Sequence, residues 1–174
     1  MRIPYTKVVA VSGGFDPIHP GHIEYLKEAA KLGYPGRVVV ILNSDRFLKK
    51  KKGFVFMKYE DRKKILEAIK YVDRVVKCVD KDQSVCKTLE WLKPDVFAKG
   101  GDRTLENTPE RDICIKKNIR MVFGVGGGKT NSSSWILNKF IEHVGDKDKK
   151  DNIRRGRGSD RSRQDSDSKI QETI

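Results

Sequence analysis

The feature that most constrains the fold is a regular alternation of short apolar runs with longer amphipathic segments. The apolar runs predict five strands, at Lys7–Ser12, Arg37–Leu42, Arg74–Val79, Asp95–Ala98 and Arg120–Phe123. The segments between and after them predict five helices, at His22–Leu32, Lys58–Tyr71, Ser84–Leu92, Pro109–Lys117 and Ser132–Val144. Strict alternation is typical of a parallel sheet with right-handed crossovers. We therefore expect an α/β fold, a Rossmann-like, doubly wound, five-stranded parallel sheet in the order 3-2-1-4-5.

Thr108-Pro109-Glu110 marks one of the predicted helix starts, since a capping hydroxyl precedes a proline at the first helical position. The chain has 174 residues, enough for one domain with a full core and short for two. Residues 146–174 are almost wholly Lys, Arg, Asp, Ser and Gly, and bury too little apolar surface to offset their ordering entropy. We expect one domain over residues 1–145 and a charged, low-complexity, disordered tail over 146–174.

The net charge of +13 belongs mostly to the predicted domain. The tail holds nine Lys or Arg against seven Asp or Glu, which leaves +11 for residues 1–145. A basic domain fits an anionic small substrate or a nucleic acid, and charge does not choose between them. The tract Arg154–Gly158 favours nucleic acid, but interleaved Asp residues weaken it and no stacking aromatics are evident. We confine that expectation to the tail.

Cysteine content and hydropathy indicate the compartment. Cys78, Cys86 and Cys114 are widely spaced thiols without a CxxC pair, which favours a reduced protein without structural zinc. No apolar run is long enough to span a bilayer, and the first residues show no signal-peptide pattern. We expect a cytoplasmic protein with no membrane partner.

The strongest chemical signal lies between the first predicted strand and the first predicted helix. There, Gly13-Gly14-Phe15-Asp16-Pro17 leads into His19-Pro20-Gly21-His22. Glycines let the backbone approach a ligand closely, and a helix start offers unpaired N–H groups and the positive end of a dipole. Two imidazoles three residues apart add hydrogen-bond donors. The stretch therefore predicts a site for a phosphate chain.

A second loop is expected to face the same cleft. In an open parallel sheet, ligands bind outside the carboxyl ends of the strands, where the strand order reverses. With the order 3-2-1-4-5, strands 1 and 4 are neighbours at that crevice. The loop after strand 1 carries the histidines, and the loop after strand 4 carries Lys99-Gly100-Gly101-Asp102-Arg103. These two loops are distant in sequence, and both carry residues that can bind phosphate. We therefore expect them to face the same crevice.

Several short blocks together resemble the cytidylyltransferase-like nucleotidyltransferases. The blocks are Gly14-Phe15-Asp16, the HxGH of His19–His22, Asn43-Ser44-Asp45, Lys52-Gly53, Tyr71–Val76 and Lys99–Asp102. They look most similar to the heptose 1-phosphate adenylyltransferases, and next to the glycerol-3-phosphate cytidylyltransferases. The resemblance covers roughly residues 6–143, and the tail lies outside it.

The resemblance implies nucleotidyl transfer. A phosphate of a phosphorylated sugar or polyol attacks the α-phosphorus of ATP or CTP, pyrophosphate leaves, and no covalent enzyme intermediate forms. Such enzymes work by positioning and charge stabilisation. Mg²⁺ accompanies the nucleotide, no protein residue is assigned as its ligand, and a homodimer is implied.

The resemblance also assigns roles in the first loop. His19 and His22 hold the phosphates and stabilise the pentavalent transition state. The nucleotide-binding positions of this loop are Gly13, Gly14, Phe15, Asp16 and Gly21. For Asp16 two interpretations are open: it orients a histidine or lies near the metal, or it satisfies loop N–H groups before Pro17.

The lysine run Lys49–Lys52 would ordinarily be a solvated face. In the family, a flexible lysine after strand 2 closes over the triphosphate. Lys52 matches that catalytic position, with Lys49 to Lys51 as possible substitutes. Arg62, on the following helix, either binds substrate phosphate or stabilises the loop.

The loop after strand 4 supplies further candidates. Lys99 meets the acceptor's phosphate or the triphosphate, Asp102 binds a hydroxyl, and Gly100 lies between them in the nucleotide-binding loop. Arg103 is assigned to substrate phosphate, because its fork suits bidentate binding. A plain turn at Gly100-Gly101 is the simpler interpretation.

The glycine-rich block that starts at Gly124 does not fit a P-loop, because three residues rather than four separate Gly124 from Gly-Lys-Thr. In the family, this region carries a hydroxyl-rich motif at the start of the last helix, which binds triphosphate oxygens. Ser132, Ser133 and Ser134 match it. Some relatives have an arginine upstream that is missing here, and Lys129 is its implied catalytic replacement. Simple helix capping by a serine is the alternative.

Two other functions stay open. HxGH is shared by relatives whose acceptor is a cofactor precursor, namely a flavin, pantetheine or nicotinamide mononucleotide. The blocks Asn43–Asp45 and Lys99–Asp102 favour the sugar-phosphate side. The alternative outside enzymes is a basic nucleic-acid-binding protein.

Overall fold

The computed structural model describes residues 6–101, 103–127 and 132–144. The strands are β1 (Lys7–Gly13), β2 (Gly36–Leu42), β3 (Arg74–Lys77), β4 (Val96–Gly100) and β5 (Arg120–Val125). The helices are α1 (Pro20–Gly33), α2 (Asp45–Lys52), α3 (Tyr59–Glu67), α4 (Cys86–Leu92), α5 (Arg111–Lys116) and α6 (residues 133–144).

The five strands form one sheet in the order β3-β2-β1-β4-β5. Every pairing is parallel, with β1 between β2 and β4: Val11 is opposite Val40 on one side and Ala98 on the other. The predicted order and the predicted Rossmann-like fold class are thus confirmed. The strand order reverses between β1 and β4, so their carboxyl ends flank the crevice expected to bind ligand.

The sheet is buried on both faces, which explains its nearly continuous apolar runs. In β1, Val9 and Val11 belong to one core cluster, together with Tyr25 and Leu26 of α1. Ala10, pointing the other way, belongs to a second cluster that includes Leu89 of α4. Because successive side chains of a strand alternate in direction, one strand serves both clusters.

Helix α2 is not among the helices that periodicity predicts, because Leu48 is the one buried residue that the structure assigns to it. Its ends carry clear local signals instead. Ser44 Oγ accepts the N–H of Phe47 at 3.2 Å, and Gly53 ends the helix in the left-handed region at φ 84°. The run Lys49–Lys52, in which the resemblance implies one flexible lysine, forms the last helical turn, where the dipole favours cations.

Helix α5 begins later than predicted. Its first residue is Arg111, and Glu110 rather than Thr108 precedes it as the N-cap residue. The Thr108 hydroxyl donates to the Thr104 carbonyl at 2.7 Å, so it is bound within its own turn and does not cap the helix. The proposed capping role of Thr108 is therefore wrong.

The chain divides into two compact units, with the boundary between Ser133 and Ser134. The first contains the sheet and helices α1 to α5, and the second contains most of α6. The predicted tail, residues 146–174, lies outside the described residues, so the domain limit at residue 145 stays a prediction. Within the described ranges, no helix is long and apolar enough to cross a membrane.

Candidate active site

The histidine pair lies at the start of α1. His19 is the N-cap residue, and Pro20 opens the first turn. The two imidazole rings stack, with centroids 3.8 Å apart and planes 25° apart. The backbone N–H of His19 donates to His22 Nδ1 at 3.3 Å. A neutral His22 therefore carries its proton on Nε2, and that N–H is the donor it offers to a ligand.

Both imidazoles favour the neutral form. Burial lowers the pKa of His22 to about 3, and the neighbouring His19 and Lys52 act in the same direction. Burial lowers the pKa of His19 too, with Lys52 adding to the effect. His19 Nδ1 is buried and has no hydrogen-bond partner among the described residues. A buried nitrogen without a hydrogen-bond partner, next to a cation, is typical of an anion-binding site in which the ligand completes the hydrogen bonding.

The glycines before the pair are required by packing. A Cβ on Gly14 would lie 2.7 Å from Leu48 Cδ2, and one on Gly13 would lie 2.9 Å from the ring of Phe15. Phe15 is buried, and its ring centroid lies 4.8 Å from that of His22. Glycine at these positions thus lets α2 approach β1 and lets Phe15 support the His22 ring. Gly21 is tight as well, since its Cβ would meet the His19 ring at 3.1 Å.

Asp16 is 1% exposed and uses both carboxylate oxygens on backbone groups. Oδ2 accepts the N–H of Phe56 at 2.9 Å, and Oδ1 accepts the N–H of Met57 at 2.6 Å. This geometry supports the second interpretation of Asp16, in which it satisfies N–H groups. The groups belong to a segment about 40 residues later in the chain, so Asp16 fastens that segment to the histidine loop.

Arg62 is 1% exposed, and its guanidinium is bound from several sides. Nη1 donates to the carbonyls of Gly14 (2.6 Å) and Asn43 (3.0 Å). Nε donates to the Met57 carbonyl at 2.9 Å, and Nη2 pairs with Asp45 Oδ1 at 2.6 Å. These contacts join the ends of β1 and β2 to the start of α3, and they support loop stabilisation rather than phosphate binding.

The charges of Lys52, Lys99 and Arg103 all act on Lys51, and we call these four residues the cationic cluster. Within it, the charge of Lys52 also acts on both histidines. Burial lowers the pKa of Lys51, and Arg103, Lys52 and Lys99 each lower it further. Lys52 Nζ donates to the Asp16 carbonyl at 3.1 Å, which ties the end of α2 to the histidine loop. Mutual repulsion of this kind is relieved by a bound polyanion.

Glu110 is a site residue that sequence reasoning missed. Its Oε2 lies 3.2 Å from Lys99 Nζ, and the side chains are 4% and 12% exposed. Nothing local marks Glu110, because it precedes α5 while Lys99 lies in β4. Tyr25 was missed for the same reason: its hydroxyl donates to the Ala98 carbonyl at 2.6 Å. A Cβ on Gly100 would lie 3.1 Å from the Tyr25 ring, so Gly100 too is required by packing.

Ser133 joins the serine block to the histidine loop. Ser133 is buried, and its hydroxyl donates to the Pro17 carbonyl at 2.9 Å. Ser132 is half-buried, whereas Ser134 is exposed and opens the second unit. Lys129 and Asp102, the other predicted residues of these loops, lie outside the described residues. Their assigned roles stay predictions.

The structure thus brings together most of the predicted residues that it describes. The histidines follow β1, the cationic cluster is drawn from α2 and the end of β4, and Ser133 joins at Pro17. Neutral imidazoles at a helix start, next to Lys52 and at the switch point of a parallel sheet, fit a nucleotidyltransferase. The chain belongs to the cytidylyltransferase-like family, whose sequence profile matches residues 10–125.

Similar proteins fall into two groups. An FAD synthase of Ferroglobus placidus is 36% identical over 114 residues, which cover 66% of this chain and 72% of that protein. The bifunctional protein HldE of Marinomonas sp. is 39% identical over 130 residues, 72% of this chain but 26% of that protein. Among solved structures, the lipopolysaccharide core biosynthesis protein of Thermoplasma volcanium matches with a TM-score of 0.58 and 28% identity, covering 68% of this chain and 96% of the other.

Proposed function

We propose that this protein transfers the nucleoside monophosphate of ATP or CTP to the phosphate of a phosphorylated sugar or polyol, and releases pyrophosphate. The observation that carries the proposal is the stacked histidine pair at the start of α1, with the Lys52 ammonium hydrogen-bonded to the same loop, at the β1–β4 crevice. Both the triphosphate and the acceptor are anions, and two anions have to be held together for the reaction to proceed. A site rich in positive charge overcomes their repulsion.

The residues divide the work by position. His22, fixed by the His19 N–H and supported by Phe15, offers its Nε2–H at the helix start. Lys52, tied to the same loop, adds charge next to the imidazoles. As pyrophosphate leaves, negative charge grows on the phosphate oxygens, and donors that are already oriented stabilise it without reorganisation. We assign the second anion to Lys99 and Arg103, on the β4 side.

Mg²⁺ fits this scheme as a companion of the nucleotide. Among the described residues, no group of three or more His, Cys, Asp or Glu side chains is arranged to hold a metal ion. Asp16, the carboxylate next to the histidines, has both oxygens occupied by N–H groups. Mg²⁺ commonly binds through substrate phosphates with few protein ligands, and there it neutralises charge on the triphosphate.

FMN is the second candidate acceptor, favoured by two observations. The chain covers 72% of the Ferroglobus FAD synthase but about a quarter of the Marinomonas HldE protein. In addition, Phe54 and Phe56 are 43% and 56% exposed on the segment that Asp16 fastens to the histidine loop. Exposed aromatic rings beside a phosphate site suit stacking on a planar ring system.

A pyrophosphate-release screen tests the proposal. The protein is incubated with Mg²⁺ and each of ATP, CTP, GTP and UTP, against a panel of sugar phosphates, polyol phosphates and FMN. Turnover with a sugar or polyol phosphate supports the first acceptor class, and formation of FAD from FMN and ATP replaces it with the second. Absence of turnover in every combination would overturn nucleotidyl transfer to these acceptors.

A further inference from the structure

Lys99 and Glu110 form an ion pair that is almost completely removed from solvent. Lys99 Nζ lies 3.2 Å from Glu110 Oε2, with side-chain exposures of 12% and 4%. The Lys99 ammonium also lies 4.7 Å from the centroid of the Phe97 ring. A lysine side chain has four rotatable bonds, so its direction at the end of β4 depends on these partners.

Glu110 is itself held rigidly. Its other oxygen, Oε1, accepts the backbone N–H of Val85 at 3.1 Å, just before α4. Its backbone carbonyl accepts the N–H of Cys114 at the start of α5. The backbone of Glu110 is thus fixed to α5, its carboxylate is fixed to the start of α4, and each carboxylate oxygen has a distinct partner. A carboxylate fixed in this way orients whatever cation it pairs with.

The charges that face Lys99 explain why the pair matters. Burial lowers the pKa of Lys99, Glu110 opposes this by attraction and by its hydrogen bond, and Arg103 lowers the pKa again. Cys114 of α5 acts weakly in the same direction as Glu110, and Lys99 in turn repels Lys51 of α2. Glu110 is therefore the main group that keeps a buried ammonium charged beside other cations.

We propose that Glu110 is a positioning residue of the transfer site: it holds the Lys99 ammonium at the carboxyl end of β4, pointed and charged for a substrate phosphate. The proposal rests on the proposed function for its substrate. It predicts that Glu110 acts on turnover through Lys99, and that its removal has no separate effect on the reaction.

A double-mutant cycle on kcat/KM tests this coupling. Glu110→Gln keeps the acceptor for the Val85 N–H but removes the charge, and we expect it to lower kcat/KM about tenfold. In the Lys99→Met background, the same change is expected to have less than a twofold effect. The double variant also removes both buried charges, which protects its fold from an unpaired ion. Equal effects of Glu110→Gln in both backgrounds would overturn the proposal.

Glu90→Gln is the matched control. Glu90 of α4 pairs with Lys117, the residue that follows α5, at 2.9 Å. It tests whether the loss of a different ion pair that involves these helices slows the reaction. We expect kcat/KM of this variant to equal that of the unmodified protein, and a tenfold loss would assign the effect to helix packing rather than to Lys99.

A second readout does not need activity. Competitive labelling of amines with acetic anhydride at pH 8, followed by peptide mass spectrometry, reports the neutral fraction and access of each lysine. We expect Lys99 to label several times faster in Glu110→Gln, and to be unchanged in Glu90→Gln. Unchanged labelling of Lys99 in Glu110→Gln would refute the proposal that Glu110 holds the Lys99 ammonium. A protein inactive on the whole substrate panel would refute the proposed function, while this labelling would still decide the role of Glu110.

Discussion

The Lys52 ammonium donates to the backbone carbonyl of Asp16 at 3.1 Å, three residues before His19. The Asp16 carboxylate holds the N–H groups of Phe56 and Met57, which follow Lys52 in the chain. The lysine and the aspartate are therefore joined twice, once directly and once through the segment between α2 and α3. Displacement of one moves the other.

Loss of either imidazole should stop catalysis while leaving the fold intact. We expect His19→Asn and His22→Asn each to lower kcat about 100- to 1,000-fold, the range seen when one oriented donor to a developing charge is removed. Initial rates of pyrophosphate release measure this. His143→Asn, at an exposed position of α6, is the matched control and is expected to retain the full rate. Retention of full rates by both site variants would refute the catalytic assignment.

Protein stability should fall as the pH drops below 6.5, partly because of His22. Its pKa is about 3 in the folded state and about 6.5 when unfolded, so the unfolded chain takes up a proton that the folded chain does not. Stability is therefore fully present above 6.5 and is lost between 6.5 and 3. Denaturant unfolding at pH 7 and pH 5 should show a loss that is about 2 kcal/mol smaller in His22→Asn than in the unmodified protein. Equal losses would mean that His22 is not held neutral.

Removal of the Asp16 carboxylate should affect stability and activity together. Asp16→Ala leaves two backbone N–H groups without their acceptor, and we expect a loss of about 2–4 kcal/mol in the free energy of unfolding. We also expect kcat to fall, because the segment between α2 and α3 is released from the histidine loop. Asp82→Ala serves as control, since Asp82 is exposed and accepts hydrogen bonds from nearby Ser84. If Asp16→Ala lost activity with no loss of stability, a direct role at the metal or the histidines would be favoured.

Arg62→Lys separates structural and phosphate-binding roles of this residue. A lysine cannot reproduce the four bonds of the buried guanidinium, so we expect the free energy of unfolding to fall by about 3–5 kcal/mol. Arg46→Lys, an exposed change on α2, should stay within about 0.5 kcal/mol. Nucleotide affinity by calorimetry supplies the second measurement. Weaker nucleotide binding with unchanged stability would instead support a phosphate-binding role for Arg62.

The parallel sheet was predictable because each buried strand is a short apolar run and each crossover is long enough for a helix, and its order is the common one for doubly wound folds. Helix α2 was not, because a helix with Leu48 as its buried residue leaves no apolar stripe to detect. The limits of α5 were misjudged because Glu110, which has no capping side-chain hydrogen bond, precedes the helix, while the Thr108 hydroxyl donates to the Thr104 carbonyl.

Site residues were likewise predictable where a local signal marks them, and not where their role depends on a contact between distant segments. His19 and His22 were identifiable since a helix start and a three-residue spacing are properties of one segment. The pairing of Lys99 with Glu110 was not, because it depends on where the start of α5 lies relative to β4. Arg62 carries no sequence mark that distinguishes a buried guanidinium from a ligand-binding one, and only its partners show which it is.

The hydrogen bond from Ser133 to the Pro17 carbonyl joins positions 116 residues apart. The histidine loop precedes Ser133 in the chain, and all strands of the sheet after β1 lie between them. Closing a contact over so long a stretch of chain has an entropic cost that grows slowly with its length. The histidine loop therefore takes one of its supports from a residue that is made only after the whole sheet.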